Sequence, residues 1–304
     1  MTLSLRRGDV QLNLLPDLGG CVGALSWKGQ PILRPGTFSD DQWDARDMAA
    51  FPMAPFSGRI ARGHFSFTIQ EQDGAEARVR HIQLPPNMPP EPHAIHGFGW
   101  QTAWDVEDTD EDRAVLIHRH GTAGDGLPKT GWPWPYTARQ TFQVKDAGLR
   151  LDLSLTNESP SAMPAGMGWH PYFLSDGASI ECATQRIWRS GTDMIPAAPD
   201  EVAPNEDLRT MRPVQDLHLD NAFDVDSPLD QIAYENLLIT MNSDPVFSKR
   251  VVFIPEGADF FCLEPCSHAP DAHNRLGGLK ETGLVLLPPG ETLSGTITLR
   301  FKAL

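Results

Sequence analysis

The sequence has few cysteines, a deficit of positive charge and no long hydrophobic run. Its four cysteines, among 304 residues, have neither zinc-ligand nor disulfide-framework spacing, so we expect reduced thiols. Lysine and arginine total 25 against 40 acidic residues, and the net charge of −15 disfavours nucleic acid or an anionic membrane as partner. No apolar run approaches the roughly 20 residues of a membrane span, and the first residues lack a signal-peptide stretch. We therefore expect a cytoplasmic protein; the oligomeric state stays open.

Glycine and proline are frequent and are spread along the whole chain, with 26 and 27 copies. This distribution favours many short strands joined by turns over long helices. Apolar residues alternate with polar ones in many segments, for example 3–14, 149–155 and 293–299. Neither an internal repeat nor a linker divides the sequence. These features predict an all-β protein in which residues 1–304 form one domain with two large sheets packed face to face.

The segment GWHPYF, residues 168–173, stands out because it centres on His170. Residues 163–170 alternate, which predicts one strand with a bulky apolar face and a face of small residues that ends in His170. Small residues beside a polar one leave room for something to lie over the strand. Histidine exchanges protons near neutrality because its unperturbed pKa is about 6.5. The competing interpretation is a core histidine bonded to backbone.

Two further residues favour a functional interpretation of His170. Glu264 lies at a strand end on the same face as Phe260 and Cys262. We expect desolvation there to raise the pKa of Glu264 and make it a better base near neutrality. His96 precedes Gly97 in a glycine-flanked loop, where tight or positive-φ backbone is accessible. A histidine presented from such a loop is more often functional than one in the middle of a strand.

Other candidate residues keep two interpretations each. By residue type alone, Arg59 is a surface arginine and Asp220 a turn former. Trp132 and Trp134 lie in a proline-bent aromatic loop that suits a sugar-stacking platform and a hydrophobic plug equally well. A metal-dependent β-sandwich would use paired histidines, His93 with His96 or His118 with His120, but no companion carboxylate motif accompanies them.

The order of motifs resembles that of the aldose 1-epimerases, or mutarotases. These motifs are GRI followed by G.F.F, then HG..W, HPYF, D..F, LEP and a terminal L.PGE strand, and they extend from about Pro55 to Phe301. HPYF and the later EP are the most specific of them. The resemblance implies a large antiparallel β-sandwich of the galactose-mutarotase type, a sugar substrate and no cofactor or metal.

The resemblance also implies a role for each site residue. His170 would be the general acid that protonates the ring oxygen, and Glu264 the general base that takes the proton of the anomeric hydroxyl. His96 would hydrogen-bond the sugar near the reacting centre. Arg59 and Asp220 would hold sugar hydroxyls. We expect His170 and Glu264 on solvent-reaching strand faces, facing each other across one open cleft.

The sequence departs from the family where substrate is held. Gly58 stands where sugar-specific members often have asparagine, and Leu174 follows HPYF where they often have asparagine too. The substrate therefore stays open among hexoses, pentoses and modified aldoses. One alternative is a hexose-6-phosphate mutarotase, which would need a cationic pocket; its candidate residues are Arg59, Arg62, Arg78 and Arg80. Another is a carbohydrate-binding β-sandwich without catalysis.

Overall fold

The computed structural model describes residues 1–38, 43–69, 78–121 and 131–304, and strands dominate it. The strands, numbered β1 to β24 in chain order, are Leu3–Arg7, Val10–Leu15, Cys21–Trp27, Gln30–Pro31, Ala50–Met53, Arg59–Ile60, His64–Ile69, Arg78–Gln83, Ala94–Ile95, Asp105–Thr109, Arg113–His120, Tyr136–Lys145, Gly148–Asn157, Met163–Ala165, Gly168–Leu174, Ser179–Ser190, Pro196–Glu201, Arg212–Pro213, Asp220–Tyr234, Leu237–Ser243, Lys249–Phe253, Phe260–Cys266, Val285–Leu287 and Thr292–Ala303. The helical segments are short: 3-10 turns at Ala45–Asp47, Ala61–Gly63, Gly99–Gln101, Val214–Asp216 and Ala272–Gly278, and α1 at Leu279–Thr282. Within the described part of the chain, no helix is long and apolar enough to cross a membrane.

Eighteen strands join into one antiparallel sheet system whose central element is the long strand β19. The second half of β19 pairs with β20, and from there the ladder continues through β24, β13, β12 and β11 to β10. Its first half pairs with β21, and that ladder continues through β22, β15, β5, β3 and β2 to β1. The two ladders fold over each other, so that β1 and β2 lie against β12. The predicted all-β antiparallel sandwich is confirmed.

Alternation along the strands explains this packing. Residues 136–144 of β12 alternate between buried and half-buried positions, as the sequence pattern requires for a strand with one face in the core. The apolar core contains fully buried side chains from both ladders, such as Leu12, Leu14, Phe142 and Phe173. Burial of apolar area at roughly 25 cal/mol per Å² stabilises this arrangement.

The prediction of one strand over residues 163–170 is wrong. The segment is two strands, because β14 pairs with β23 whereas β15 pairs with β5 and β22. Between them, the Gly166 amide donates to the Pro55 carbonyl and the Met167 amide to the Ser267 hydroxyl. A Cβ on Gly166 would lie 2.0 Å from the His268 ring. The space beside Gly166 is therefore filled by this chain's own His268.

Candidate active site

Neighbouring strands set His170 and Glu264 side by side. The register of β15 and β22 places Gly168 opposite Cys266 and Tyr172 opposite Cys262, so His170, midway, lies opposite Glu264. The distance between His170 Nε2 and Glu264 Oε1 is 3.3 Å. On its other side His170 pairs with Phe51 of β5, and the two rings stack with centroids 4.3 Å apart.

His96 reaches the same place from a different pair of strands. Arg59 of β6 pairs with Ile95 of β9, and this pairing brings His96 next to Gly58. His96 has the positive φ of 57° that its glycine-flanked position allows, and its ring centroid lies 5.3 Å from that of His170. The Gly58 amide donates to His96 Nδ1 over 3.2 Å, so the proton of a neutral ring is on Nε2. Burial lowers the pKa of His96 well below its usual value, which keeps the ring neutral and a donor.

Arg59 and Asp220 complete the cleft on the side of Glu264. Arg59 Nη2 and Nε donate to Glu91 Oε1 over 2.8 and 3.2 Å, and both side chains are largely shielded from solvent. Asp220 is the first residue of β19, and burial raises the pKa of its carboxyl. All five residues predicted from the sequence therefore border one cavity of about 250 Å³. What each does in catalysis stays a prediction.

The cleft differs from the expected arrangement in one respect. His170 and Glu264 lie beside each other on its floor instead of facing each other across it. They are also buried, with exposed fractions of 7% and 2%, where strand alternation predicted solvent-reaching faces. Trp100, Met88 and Pro270, which lie outside the strands, line the same cavity, so segments outside the sheet help to enclose this face.

Burial separates the proton affinities of the catalytic candidates. It lowers the pKa of His170 to about 3, with the positive charge of Arg34 acting in the same direction. It raises the pKa of Glu264 well above the usual range, as expected, and the negative charge of Asp220 adds to this. Because the two groups are 3.3 Å apart, they titrate as a pair. When the pair holds one proton, burial favours that proton on Glu264, because both side chains are then uncharged. Within the described residues, His170 Nδ1 and Glu264 Oε2 are buried without a hydrogen-bond partner.

One group of potential metal ligands occurs among the described residues. Ligand atoms of His170, Cys262 and Glu264 lie within 4.8 Å of one another. The histidines considered as metal ligands have other bonds: His118 contacts the Tyr136 hydroxyl and His120 the Trp132 carbonyl. His93 accepts from the Arg62 amide and contacts the Asp193 carbonyl.

The tryptophans of the aromatic loop belong to the core. Trp132 and Trp134 are 0% and 1% exposed, and they pack against each other with ring centroids 5.0 Å apart. Their rings also contact Phe65. Of the two interpretations, the hydrophobic plug is right and the sugar-stacking platform is wrong.

Several cleft residues were not found from the sequence. Phe51 and Tyr172 both stack against the His170 ring, at 4.3 and 4.8 Å between centroids, and they also contact each other at 6.1 Å. Tyr172 could have been found, because it lies two residues from His170 on the same strand face. Glu91, in a proline-rich loop, carries no sequence signal for its pairing with Arg59. Asn221 also borders the cleft.

Comparison with known proteins identifies relatives over the whole chain. A family model described as aldose 1-epimerase matches residues 1–300. The Escherichia coli (strain K12) protein YphB, described as uncharacterised, is 30% identical over 317 residues and 98% of each chain is covered. A crystal structure of a candidate aldose 1-epimerase from Escherichia coli K12 superimposes with a TM-score of 0.84 at 28% identity, covering 100% of this chain and 99% of that one. A galactose mutarotase-like protein from Clostridium acetobutylicum gives 0.82 at 17% identity, covering 100% and 95%, which supports the fold alone.

Proposed function

The chain belongs to the aldose 1-epimerase family, and we propose that it interconverts the α and β anomers of an unphosphorylated aldose. The observation that carries this proposal is the 3.3 Å separation of His170 Nε2 and Glu264 Oε1 on the floor of the cleft. Mutarotation needs one proton removed from the anomeric hydroxyl and one added to the ring oxygen, and both oxygens are bonded to the same carbon. An acid and a base at hydrogen-bond distance from each other fit that requirement.

The reaction can be written with a constant number of protons on the pair. In the closed-ring complex, protonated His170 donates to the ring oxygen while the Glu264 carboxylate takes the proton of the anomeric hydroxyl. The bond between C1 and the ring oxygen breaks, and an open-chain aldehyde forms. Rotation about C1–C2 exposes the other face of the carbonyl. Ring closure then runs the same proton transfers backwards and yields the other anomer.

Burial contributes to this scheme by favouring one of its protonation states. After ring opening, His170 is neutral and Glu264 is protonated, which is the arrangement that burial favours. Before ring opening, protonated His170 and ionised Glu264 must be stabilised by polar groups of the bound sugar and of the cleft around it. The neutral His96 can donate from Nε2 to a sugar oxygen, and we assign Arg59 and Asp220 to sugar hydroxyls other than the anomeric one. This chemistry oxidises nothing and transfers no group, so it requires no carrier cofactor.

The charges of the cleft favour a neutral sugar over a sugar phosphate. Its two arginines are already paired, Arg59 with Glu91 and Arg46 with Asp44. Asp220 adds a carboxyl on the side of Arg59. A phosphate dianion would compete with these carboxylates for each guanidinium, whereas hydroxyls can bond to both partners.

Anomer exchange tests the proposal directly. Freshly dissolved pure anomers of hexoses, pentoses and deoxy sugars are followed by polarimetry or by NMR exchange with catalytic amounts of protein. We expect faster exchange for at least one aldose, and the same rate after addition of EDTA. The proposal would be rejected if the protein accelerated anomer exchange for none of the aldoses tested. Activity that EDTA abolishes and a divalent ion restores would replace it with metal chemistry at the cluster of His170, Cys262 and Glu264.

A further inference from the structure

The two sides of the catalytic pair differ in chemistry. The sheet register places Phe51, His170, Glu264, Val251 and Ala222 in one row across five neighbouring strands. Beyond Glu264, the row ends next to Asn221 and Asp220, which line the cavity together with Ser190 and Arg59. Beyond His170, it leads to Phe51 and to Trp100, Tyr172, Ile95 and Met88 of the same apolar cluster, here called the aromatic side. Val251 and Phe253, on the side of Glu264, also pack against this cluster.

Covalent geometry then orients a bound sugar. In an aldopyranose the anomeric oxygen, C1, the ring oxygen and C5 are bonded in that order. If the anomeric hydroxyl lies at Glu264 and the ring oxygen at His170, this sequence of bonded atoms runs along the row from Glu264 towards Phe51. C5 and its substituent are then on the aromatic side, and the C2 hydroxyl, on the other neighbour of C1, is on the side of Arg59 and Asp220.

The polar groups of the aromatic side are largely engaged with the protein itself. Trp100 Nε1 donates to the Gly97 carbonyl over 3.1 Å. Arg46, at the rim, uses its Nε and Nη2 groups on the Asp44 carboxylate. Tyr172 turns its ring face towards His170, and burial raises the pKa of its phenol, which stays neutral. Among the described residues, this side therefore presents mainly rings and aliphatic carbons to a ligand, with the Tyr172 hydroxyl as its remaining polar group.

We propose that the substrate carries hydrogen or a methyl group at C5, so that pentopyranoses and 6-deoxyhexoses are better substrates than hexoses with a 6-hydroxyl. This inference rests on the proposed mutarotase function and narrows its substrate class. A 6-hydroxyl on the aromatic side would lose its bonds to water without an equivalent partner in the protein. Apolar pockets discriminate against an added hydroxyl by at most about a hundredfold.

Matched sugars isolate the C5 substituent from the other hydroxyls. One set is D-glucose, 6-deoxy-D-glucose and D-xylose; a second is D-galactose, 6-deoxy-D-galactose and L-arabinose; a third is D-mannose, 6-deoxy-D-mannose and D-lyxose. The members of each set share the configuration at C2 to C4. We expect kcat/KM, from NMR anomer exchange, to be roughly ten- to a hundredfold higher for the deoxy sugar or pentose than for the hexose in the best set.

A matched pair of variants localises the effect. Met88→Gln adds an amide to the aromatic side at nearly constant volume, and it should reduce the ratio of deoxy sugar to hexose. Met194→Gln makes the same change elsewhere in the cleft lining and should leave this ratio unaltered.

The outcomes separate the two proposals. A hexose that reacts as fast as or faster than its deoxy partner would overturn the inference and leave mutarotation intact; the Tyr172 phenol would then be the first candidate to hold the 6-hydroxyl. An equal fall of the ratio in both variants would also overturn it. Absence of acceleration in all three sets would overturn the proposed function and the inference with it.

Discussion

Two of the buried acid–base pairs among the described residues have opposite properties. Arg250 Nε donates to Asp230 Oδ2 over 2.6 Å, and both side chains are 0% exposed. The other donors of Arg250 reach the Ser243 hydroxyl at 2.6 Å and the carbonyls of Phe247 and Lys249 at 2.9 and 3.0 Å. The pair of His170 and Glu264 has a longer contact, 3.3 Å, and a cavity above it.

The difference concerns what each pair can do with a proton. Arginine does not release its proton in proteins, so Arg250 stays charged beside Asp230 and joins strands through its hydrogen bonds. In this pair Asp230 Oδ1 is also buried without a hydrogen-bond partner among the described residues, so the contrast with His170 and Glu264 lies in the mobile proton. His170 and Glu264 can become neutral by moving one proton, and each keeps a buried atom without a partner among the described residues. Under-bonded groups with opposed pKa shifts are typical of a site that exchanges protons with a ligand. The first pair should therefore govern stability and the second activity.

The largest effect is expected from breaking the structural pair. Asp230→Ala would leave the Arg250 guanidinium charged, fully buried and without its carboxylate, which typically costs about 3–5 kcal/mol of the free energy of unfolding. Denaturant unfolding at neutral pH measures this loss in the free energy of unfolding. The control is the apolar double variant Asp230→Leu with Arg250→Met, which should recover most of the loss because no charge stays buried. A loss below about 1 kcal/mol for Asp230→Ala would mean that water reaches the guanidinium.

The catalytic pair should show the opposite pattern. Glu264→Gln removes the exchangeable carboxylate at constant volume, and we expect kcat to fall roughly a hundredfold or more, with a smaller change in KM and no loss of stability. His170→Asn should have a similar effect, and the double variant should be no slower than either single one, because both transfers are needed and water sets the residual rate. Anomer exchange and unfolding on the same samples provide the test. Near-normal activity of Glu264→Gln would point to Asp220 as the base instead.

The pH dependence of stability should reveal the smallest difference. Because the folded-state pKa of Glu264 is raised, its contribution to stability is present below the unfolded value of about 4.5 and is lost as pH rises. Glu264→Gln should therefore gain stability relative to the natural protein as the pH rises above 4.5, by at most about 1.4 kcal/mol per pH unit for one proton. For His170, whose pKa is lowered to about 3, stability is lost as pH falls below 6.5, so His170→Asn should gain in the acid direction. Parallel curves for both variants would contradict the assigned pKa shifts.

Much of the candidate site could be predicted because the residues next to its key side chains mark strands and tight turns in the sequence. His170, Glu264 and His96 stand beside glycine, proline or aromatic residues in strand ends and tight loops, where local sequence restricts the backbone. All three border the cleft together with Arg59 and Asp220. The aromatic loop was ambiguous for a physical reason: Trp132 and Trp134 have the same composition whether they face solvent or the core, and only packing against Phe65 decides.

The errors have equally specific causes. Alternation over residues 163–170 is local, and it cannot reveal that Gly166 is needed for the approach of His268 and that the ladder partner changes there. Burial of His170 and Glu264 was missed because strand alternation assigns faces but does not tell which faces loops will cover. The pairing of Arg59 with Glu91 links strand β6 to a loop, and the two segments have no shared sequence pattern.

By itself, the sequence determined the all-β class and the residue types available for proton transfer, because side-chain periodicity and glycine or proline positions act within a few residues. The tertiary structure decided what those residues face. The register of β15 against β22 sets His170 opposite Glu264, and the register against β5 sets it beside Phe51. These pairings join segments far apart in the chain, so they depend on the packing of the whole sandwich. They create both the close contact of His170 with Glu264 and the unequal sides of the cleft.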